Sequence, residues 1–266
     1  MAEPKLKELI AVFAAWCPED KCEQWDNVGL LMGSAEQTVG RVLVALDASR
    51  PVIDEAIREK FDAVFTHHPL IFHPVSSLCS DTPEGENLTL LAQNGIAVYS
   101  AHTNLDKAPG GVCDALAKKL GLNDIEPMDA DEDGFGLGRV GTLPKVMTSR
   151  EAAGWVSKAL QCPVKWLDVK NASITRMAVV GGSGGDEIDA AVKAGAQALV
   201  TGEVKHHQAL QAKQIGLTVI DAGHAATERV ILDEMVNRLQ KAANALQWDV
   251  TIRKAENGSE PWSWLR

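Results

Sequence analysis

Five side chains carry the chemistry this sequence makes available: His67, His68, Asp106, His224 and Glu228. Imidazoles mixed with carboxylates form a donor set suited to zinc, iron, manganese or nickel, and one too rich in nitrogen for calcium. His67 and His68 are adjacent. In extended backbone, successive side chains point to opposite faces, so neighbours do not readily chelate one ion. At a strand end, where the chain turns, each can reach a different ion, and the pair points to two metals. Two ions need an oxygen ligand able to bridge, which Asp106 and Glu228 supply. His224 and Glu228 stand four apart at the start of a helical stretch and share one face. His102 has the same spacing to Asp106, as a further ligand or as a partner that orients one.

Other candidates carry less. His73 sits in a Pro-flanked loop and reads as a surface or hydrogen-bonding residue. His206 and His207 read either as pocket lining that binds no metal or as ordinary surface. Gly181 to Gly185 (GGSGG) stands between a strand and a helix, where backbone amides can cradle phosphate, but it matches neither G-x-G-x-x-G nor the P-loop. Asp186 at the helix entrance would repel phosphate and reads as an N-cap. No Ser or Cys stands in a recognisable nucleophile setting. Cys79 and Cys113 read as core or loop residues.

These residues must be positioned by strands and helices that alternate. Val42 to Leu46, Ala63 to Phe65 and Ile96 to Tyr99 are short apolar runs that read as buried strands. Pro51 to Lys60 and Leu88 to Gln93 read as the helices between them. The order then recurs: strand Met177 to Val180, helix Glu187 to Ala194, strand from Leu199, helix Leu210 to Gln214, strand Leu217 to Ile220. Ile53-Asp54 matches Ile188-Asp189, and Thr66 matches Thr201, both at a spacing of 135 (188 − 53 and 201 − 66). His67-His68 has a displaced counterpart in His206-His207, and His102-x-x-x-Asp106 matches His224-x-x-x-Glu228. The chain therefore reads as an α/β protein of two similar units from an internal duplication, with mainly parallel sheets flanked by helices. The first unit is set at 1–128 and the second at 129–266, the C-terminal part being able to pack back on the first. Asp129 to Gly138 is acidic and glycine-rich and reads as the connector. Ser149 to Leu160 reads as a helix, Pro163 to Leu167 as a strand and Trp248 to Arg253 as a last strand. In open α/β sheets, sites form beyond the carboxyl ends of the strands, and six of the seven histidines fall there.

Composition excludes some classes. The 266 residues carry a net charge of −10, which argues against an extended nucleic-acid footprint. A small anionic substrate stays possible, because a bound metal inverts the local field. No apolar run approaches the ~20 residues of a membrane helix. Leu6, Leu9, Ile10 and Phe13 fall at helical spacing and predict an amphipathic first helix instead of a signal peptide. Five cysteines without a C-x-x-C imply neither a disulfide framework nor a zinc finger, and fit a reducing, cytoplasmic compartment.

Several motifs together resemble a known family: Trp25-Asp26-Asn27-Val28-Gly29-Leu30, Thr66-His67-His68-Pro69-Leu70, Ser100 to Asp106 (SAHTNLD), Thr201-Gly202-Glu203 and Asp221 to Glu228 (DAGHAATE). They are similar to the GTP cyclohydrolase 1 type 2 family, the NIF-three-like dinuclear metal-binding proteins, in its compact form without an inserted domain. The resemblance implies ligands at His67, His68, Asp106, His224 and Glu228, a site in the cleft between two α/β domains, and a homohexamer. It also implies ring-opening hydrolysis of GTP to dihydroneopterin triphosphate and formate. A metal-dependent hydrolase would use two ions to activate water, with Glu228 bridging and His102 or Glu203 shuttling protons. Lys107 and Lys205 are candidates for holding the phosphates of a nucleotide. Two rivals stand beside it: a non-enzymatic metal-handling or regulatory protein, and an interaction module in which the ions are structural staples.

Overall fold

The computed structural model describes residues 2–170, 172–258 and 260–263. In chain order the elements are α1 (Leu6–Ala14), β1 (Gly29–Met32), β2 (Arg41–Ala45), α2 (Arg50–Arg58), β3 (Ala63–Thr66), α3 (Pro83–Gln93), β4 (Ala97–Ser100) and α4 (Thr103–Lys107). There follow α5 (Val112–Lys119), β5 (Asn123–Pro127), β6 (Arg139–Met147), α6 (Ser149–Leu160), β7 (Lys165–Trp166), β8 (Ile174–Val179), α7 (Ile188–Lys193) and β9 (Ala198–Thr201). The chain ends with α8 (His206–Ile215), β10 (Thr218–Asp221), α9 (His224–Glu228), α10 (Leu232–Leu246) and β11 (Thr251–Lys254). Among the described residues, no helix is long and apolar enough to cross a membrane. The chain divides into two compact units, 2–105 with 232–258 and 106–231 with 260–263.

The first unit holds a five-stranded sheet in the order β1-β4-β3-β2-β11. β11, β2, β3 and β4 run parallel, and β1 closes one edge antiparallel to β4. Every residue of β3 (Ala63-Val64-Phe65-Thr66) is buried, as expected of a parallel strand covered on both faces. Alternation then sorts the side chains. Leu43, Val64 and Val98 pack with Val52, Ile53 and Leu91 on one face. Phe65 and Tyr99 meet Phe13 of α1 on the other, with ring centroids 5.4 and 5.6 Å from it. The first helix is therefore amphipathic as its spacing predicts, with Leu6, Leu9 and Phe13 inward.

The second unit holds a six-stranded sheet in the order β5-β6-β8-β9-β10-β7. Its centre, β8-β9-β10, is parallel, and antiparallel strands extend it on both sides. Met177, Val179, Ala198, Val200 and Ile220 face α5 and α6. Ala178, Val180, Leu199 and Val219 face Ile188, Ala191 and Ala212 of α7 and α8. The two units thus share a β-α-β-α-β core. Val42 and Ala63 are paired in one sheet, Met177 and Ala198 in the other, each displaced by 135 (177 − 42 and 198 − 63).

Several elements depart from the sequence pattern. β6 was hidden because Gly141, Pro144 and Lys145 interrupt its apolar run, and its pairing with β8 slips between Thr142 and Met147, where a proline is tolerated. α8 starts at His206, four residues ahead of the expected Leu210, and ends on Gly216 in the left-handed region at φ 80°. Asp186 is not the N-cap of α7: a 3-10 turn at Gly185–Glu187 precedes that helix, and the Asp186 carboxylate accepts from Gln208 Nε2 at 2.7 Å.

Glu55 of α2 fastens the returning C-terminal segment to the first unit. It is fully buried and accepts from Arg253 Nη2 at 2.7 Å, from the Glu256 and Asn257 amides, and from Asn257 Nδ2 at 2.9 Å. Removing one partner of a buried charged network leaves the others unmatched. Glu55→Ala is expected to lower the unfolding free energy by about 3 kcal/mol, read from urea denaturation by circular dichroism. A loss below ~1 kcal/mol would show that the segment is held without it.

Candidate metal centre

In the first unit the register aligns the carboxyl ends of three parallel strands, with Ala45 beside Thr66 and Thr66 beside Ser100. The residues just past these ends are Asp47, His67-His68 and His102. Thr66 Oγ1 lies 2.7 Å from Ser100 Oγ and donates to the His68 carbonyl at 2.8 Å, which turns the chain as it leaves β3. The three imidazoles converge there. Their ring centroids are 5.0 to 5.6 Å apart, and each offers a nitrogen within 4.8 Å of the others. This spacing admits either one shared ion or two neighbouring ones.

Each ring is held from behind. His67 is fully buried and its Nδ1 lies 2.9 Å from the Ala101 carbonyl. A carbonyl only accepts, so Nδ1 carries the proton and Nε2 keeps its lone pair. His68 Nδ1 meets Asp47 Oδ1 at 2.6 Å, and His102 Nδ1 meets Asp26 Oδ1 at 2.8 Å. Burial of Asp26 opposes its charge, but donors from His102 and from the Thr103 hydroxyl and amide outweigh that, and the carboxyl is held below the usual range. Asp26 is therefore ionised at neutral pH. Imidazoles backed by carboxylates in this way are the usual form of histidine in metal sites.

In the second unit the strand ends again carry the polar groups. The 181–185 loop follows β8, Glu203 follows β9 and His224 follows β10. His224 opens α9 and Glu228 closes it, so one helical turn brings Nε2 of the first within 3.1 Å of Oε2 of the second. Glu203 Oε2 stands 3.5 Å from His224 Nδ1, the same backing position in looser form. Asp106 and Glu228 are both buried and offer carboxylate oxygens within 4.8 Å of each other. Like charges buried so closely oppose each other's ionisation, and a cation relieves that cost. The donor set of each unit therefore fits a divalent metal.

The glycine-rich loop is shaped by this site. Gly182 has φ 61°, and a Cβ there would lie 2.1 Å from Glu228 Oε1 and 3.1 Å from His224 Nε2. Thr227 Oγ1 accepts from the Gly182 amide at 3.0 Å, and Thr201 Oγ1 donates to its carbonyl at 2.9 Å. Arg139, nearly fully buried, pairs with Asp114 at 2.8 Å and donates to the carbonyls of Lys107, Ala108, Gly136 and Gly138. It thereby fixes the chain that leaves Asp106. Burial pushes the Cys113 thiol up to about 12, so it stays protonated and supplies no thiolate.

The remaining histidines stand elsewhere. His206 and His207 are exposed on the first turn of α8, and His73 is exposed in its loop. None of the three joins a metal-capable group among the described residues. Asp26 and Asp47 escaped the reading of the sequence as ligand supports. Their signals were present: Asp26 lies in the Trp25-Asp26-Asn27 motif, and Asp47 stands just past a strand at the edge that carries the histidines. Asp47→Asn is expected to weaken metal binding by about 10- to 100-fold, measured by competition with a chromophoric chelator, with an unchanged far-ultraviolet spectrum. Unaltered affinity would remove Asp47 from the centre.

A family model described as Duf34/NIF3 (NGG1p interacting factor 3) matches residues 4–261. A GTP cyclohydrolase 1 type 2 homolog of Streptomyces coelicolor is 34% identical over 98% of this chain and 94% of its own. One from Nostoc is 37% identical over 89% of this chain and 91% of its own. A solved structure of a Staphylococcus aureus hypothetical protein has 29% identity and a TM-score of 0.93, covering 98% of this chain and 99% of that one.

Proposed function

Because this chain belongs to the Duf34/NIF3 family, we propose that it is a hydrolase dependent on two divalent metal ions, held by His67, His68, Asp106, His224 and Glu228, and acting on a small heterocyclic substrate. The observation that carries the reading is the backing of the imidazoles. His67 and His68 each have Nδ1 engaged by an acceptor, which fixes the direction of the ring. Each unit alone offers an incomplete set, imidazoles in the first and mainly carboxylates in the second. Ring-opening of GTP to dihydroneopterin triphosphate and formate is the reaction to which the name of the relatives points.

When bound, two divalent ions supply Lewis acidity and bring the ionisation of water close to neutral pH. The chain supplies the rest. Glu228, on α9, and Asp106 would hold the ions and balance their positive charge. His102 takes a proton at Nε2, while the ionised Asp26 at its Nδ1 stabilises the imidazolium. Glu203 stands 3.5 Å behind Nδ1 of His224 and would orient its ring. We extend the proposal to a homohexamer in the cytoplasm. The resemblance in sequence supports the assembly, and five free cysteines support the compartment.

Protein loaded separately with iron, zinc, manganese or nickel is expected to hold about two ions per chain and to release formate from GTP or to open a related heterocycle. Glu228→Gln is expected to lose both metal and turnover, read by elemental analysis and formate detection. Two ions bound, with GTP, phosphoesters and cyclic amides all left intact, would sink the hydrolase and leave a metal-handling protein.

A further inference from the structure

A cavity of about 490 Å³ opens in the second unit beyond the ends of β9 and β10. That volume lies within the ~300–1,000 Å³ of small-molecule sites. His224 lines it, so a molecule bound there lies beside a proposed metal ligand. Some of its charged lining is already matched. Lys165 Nζ pairs with Asp221 Oδ2 at 2.9 Å, and Glu203 faces His224. Glu260 accepts from the Trp262 amide at 3.1 Å.

Three lining groups are uncommitted. Among the described residues, no carboxylate pairs with the Lys205 ammonium and no hydrogen bond engages the Ser183 hydroxyl. The Trp262 ring is 72% exposed and, among the described residues, stacks on no other ring. A cation, a hydroxyl and a bare indole around one cavity are complementary to an anion attached to a flat ring. The charge balance limits that anion. The lining holds two lysines against Glu203, Asp221 and Glu260, and Lys165 is taken by Asp221. Lys205 is then the one lysine left, against Glu203 and Glu260, so the lining has room for at most one further negative charge, placed at Lys205, and not for the several charges of a triphosphate.

We propose that this cavity binds a planar heteroaromatic compound bearing a single anionic group, with the ring against Trp262 and the anion at Lys205 and Ser183. The proposal rests on the hydrolase reading for its functional meaning and narrows it. The substrate shares a flat heterocycle with GTP and lacks the triphosphate. The lysine and the indole choose the ligand, and the metal ligands act on it.

The test is calorimetric titration of the full chain, metal-loaded and chelator-stripped, with pterin-6-carboxylate, quinoline-2-carboxylate, neutral pterin and GTP. At least one monoanion is expected to bind about tenfold more tightly than pterin or GTP. Lys205→Gln is expected to reduce that carboxylate to the level of its neutral counterpart. Trp262→Ala is expected to weaken carboxylate and pterin alike by about tenfold, and Trp262→Phe to restore most of the loss. Wild-type melting temperature and metal content in each variant show that the fold is kept. Binding by neither monoanion, tighter binding of GTP, or affinities that Lys205→Gln and Trp262→Ala leave unchanged would overturn the proposal. Ligand binding without any turnover would overturn the hydrolase and leave the cavity standing. Turnover of GTP untouched by both substitutions would overturn the cavity assignment alone.

Discussion

The chemistry of this protein depends on what grips the far side of each imidazole. A neutral histidine has one donor and one acceptor nitrogen, and a ligand must keep its lone pair toward the ion. His67 is gripped by the Ala101 carbonyl, His68 by Asp47 and His102 by Asp26, and His224 faces Glu203 at longer range. Three of the four partners are carboxylates, which also raise the basicity of the ring they touch. Without them the rings could rotate or change tautomer, and the convergence of three nitrogens in the first unit would have no fixed direction.

Those grips exist because parallel strands in register end together. In the first unit, β2, β3 and β4 deliver Asp47, His67-His68 and His102 to one edge. In the second, β8, β9 and β10 deliver the glycine loop, Glu203 and His224 in the same way. The duplicated β-α-β-α-β core is therefore a device for placing polar groups, and the apolar alternation of the strands keeps it rigid. Around the carboxylates the protein makes a further concession. Gly182 comes so close to Glu228 and His224 that no side chain fits there, and Arg139 donates to the Lys107 and Ala108 carbonyls that follow Asp106 as well as to those of Gly136 and Gly138. Buried carboxylates near each other are tolerable only if the backbone around them is immobile and positive charge is at hand.

Much of this was legible in the sequence. The βαβ alternation, the repeat at a spacing of 135 and the collection of histidines at strand ends are all local patterns, and periodicity is local. Elements whose stability comes from neighbours were not. β6 carries a glycine and a proline and exists because β5 and β8 pair with it on either side. The first turn of α8 is polar, and its His206 and His207 read as a counterpart of His67-His68 when they are exposed helix residues. Asp186 looked like a cap and is instead a partner of Gln208.

The sequence by itself determined the kind of donors, the α/β class and the side of each sheet on which the donors lie, because residue type and strand polarity are properties of the chain alone. Only the tertiary structure decided which carboxylate stands behind which histidine, that the last helix and strand join the first sheet, and that Trp262 shares a cavity with Lys205 and Ser183. Asp26 and His102 are 76 residues apart and meet at 2.8 Å. A contact of that separation follows from the packing of many residues at once, and no short stretch of sequence encodes it.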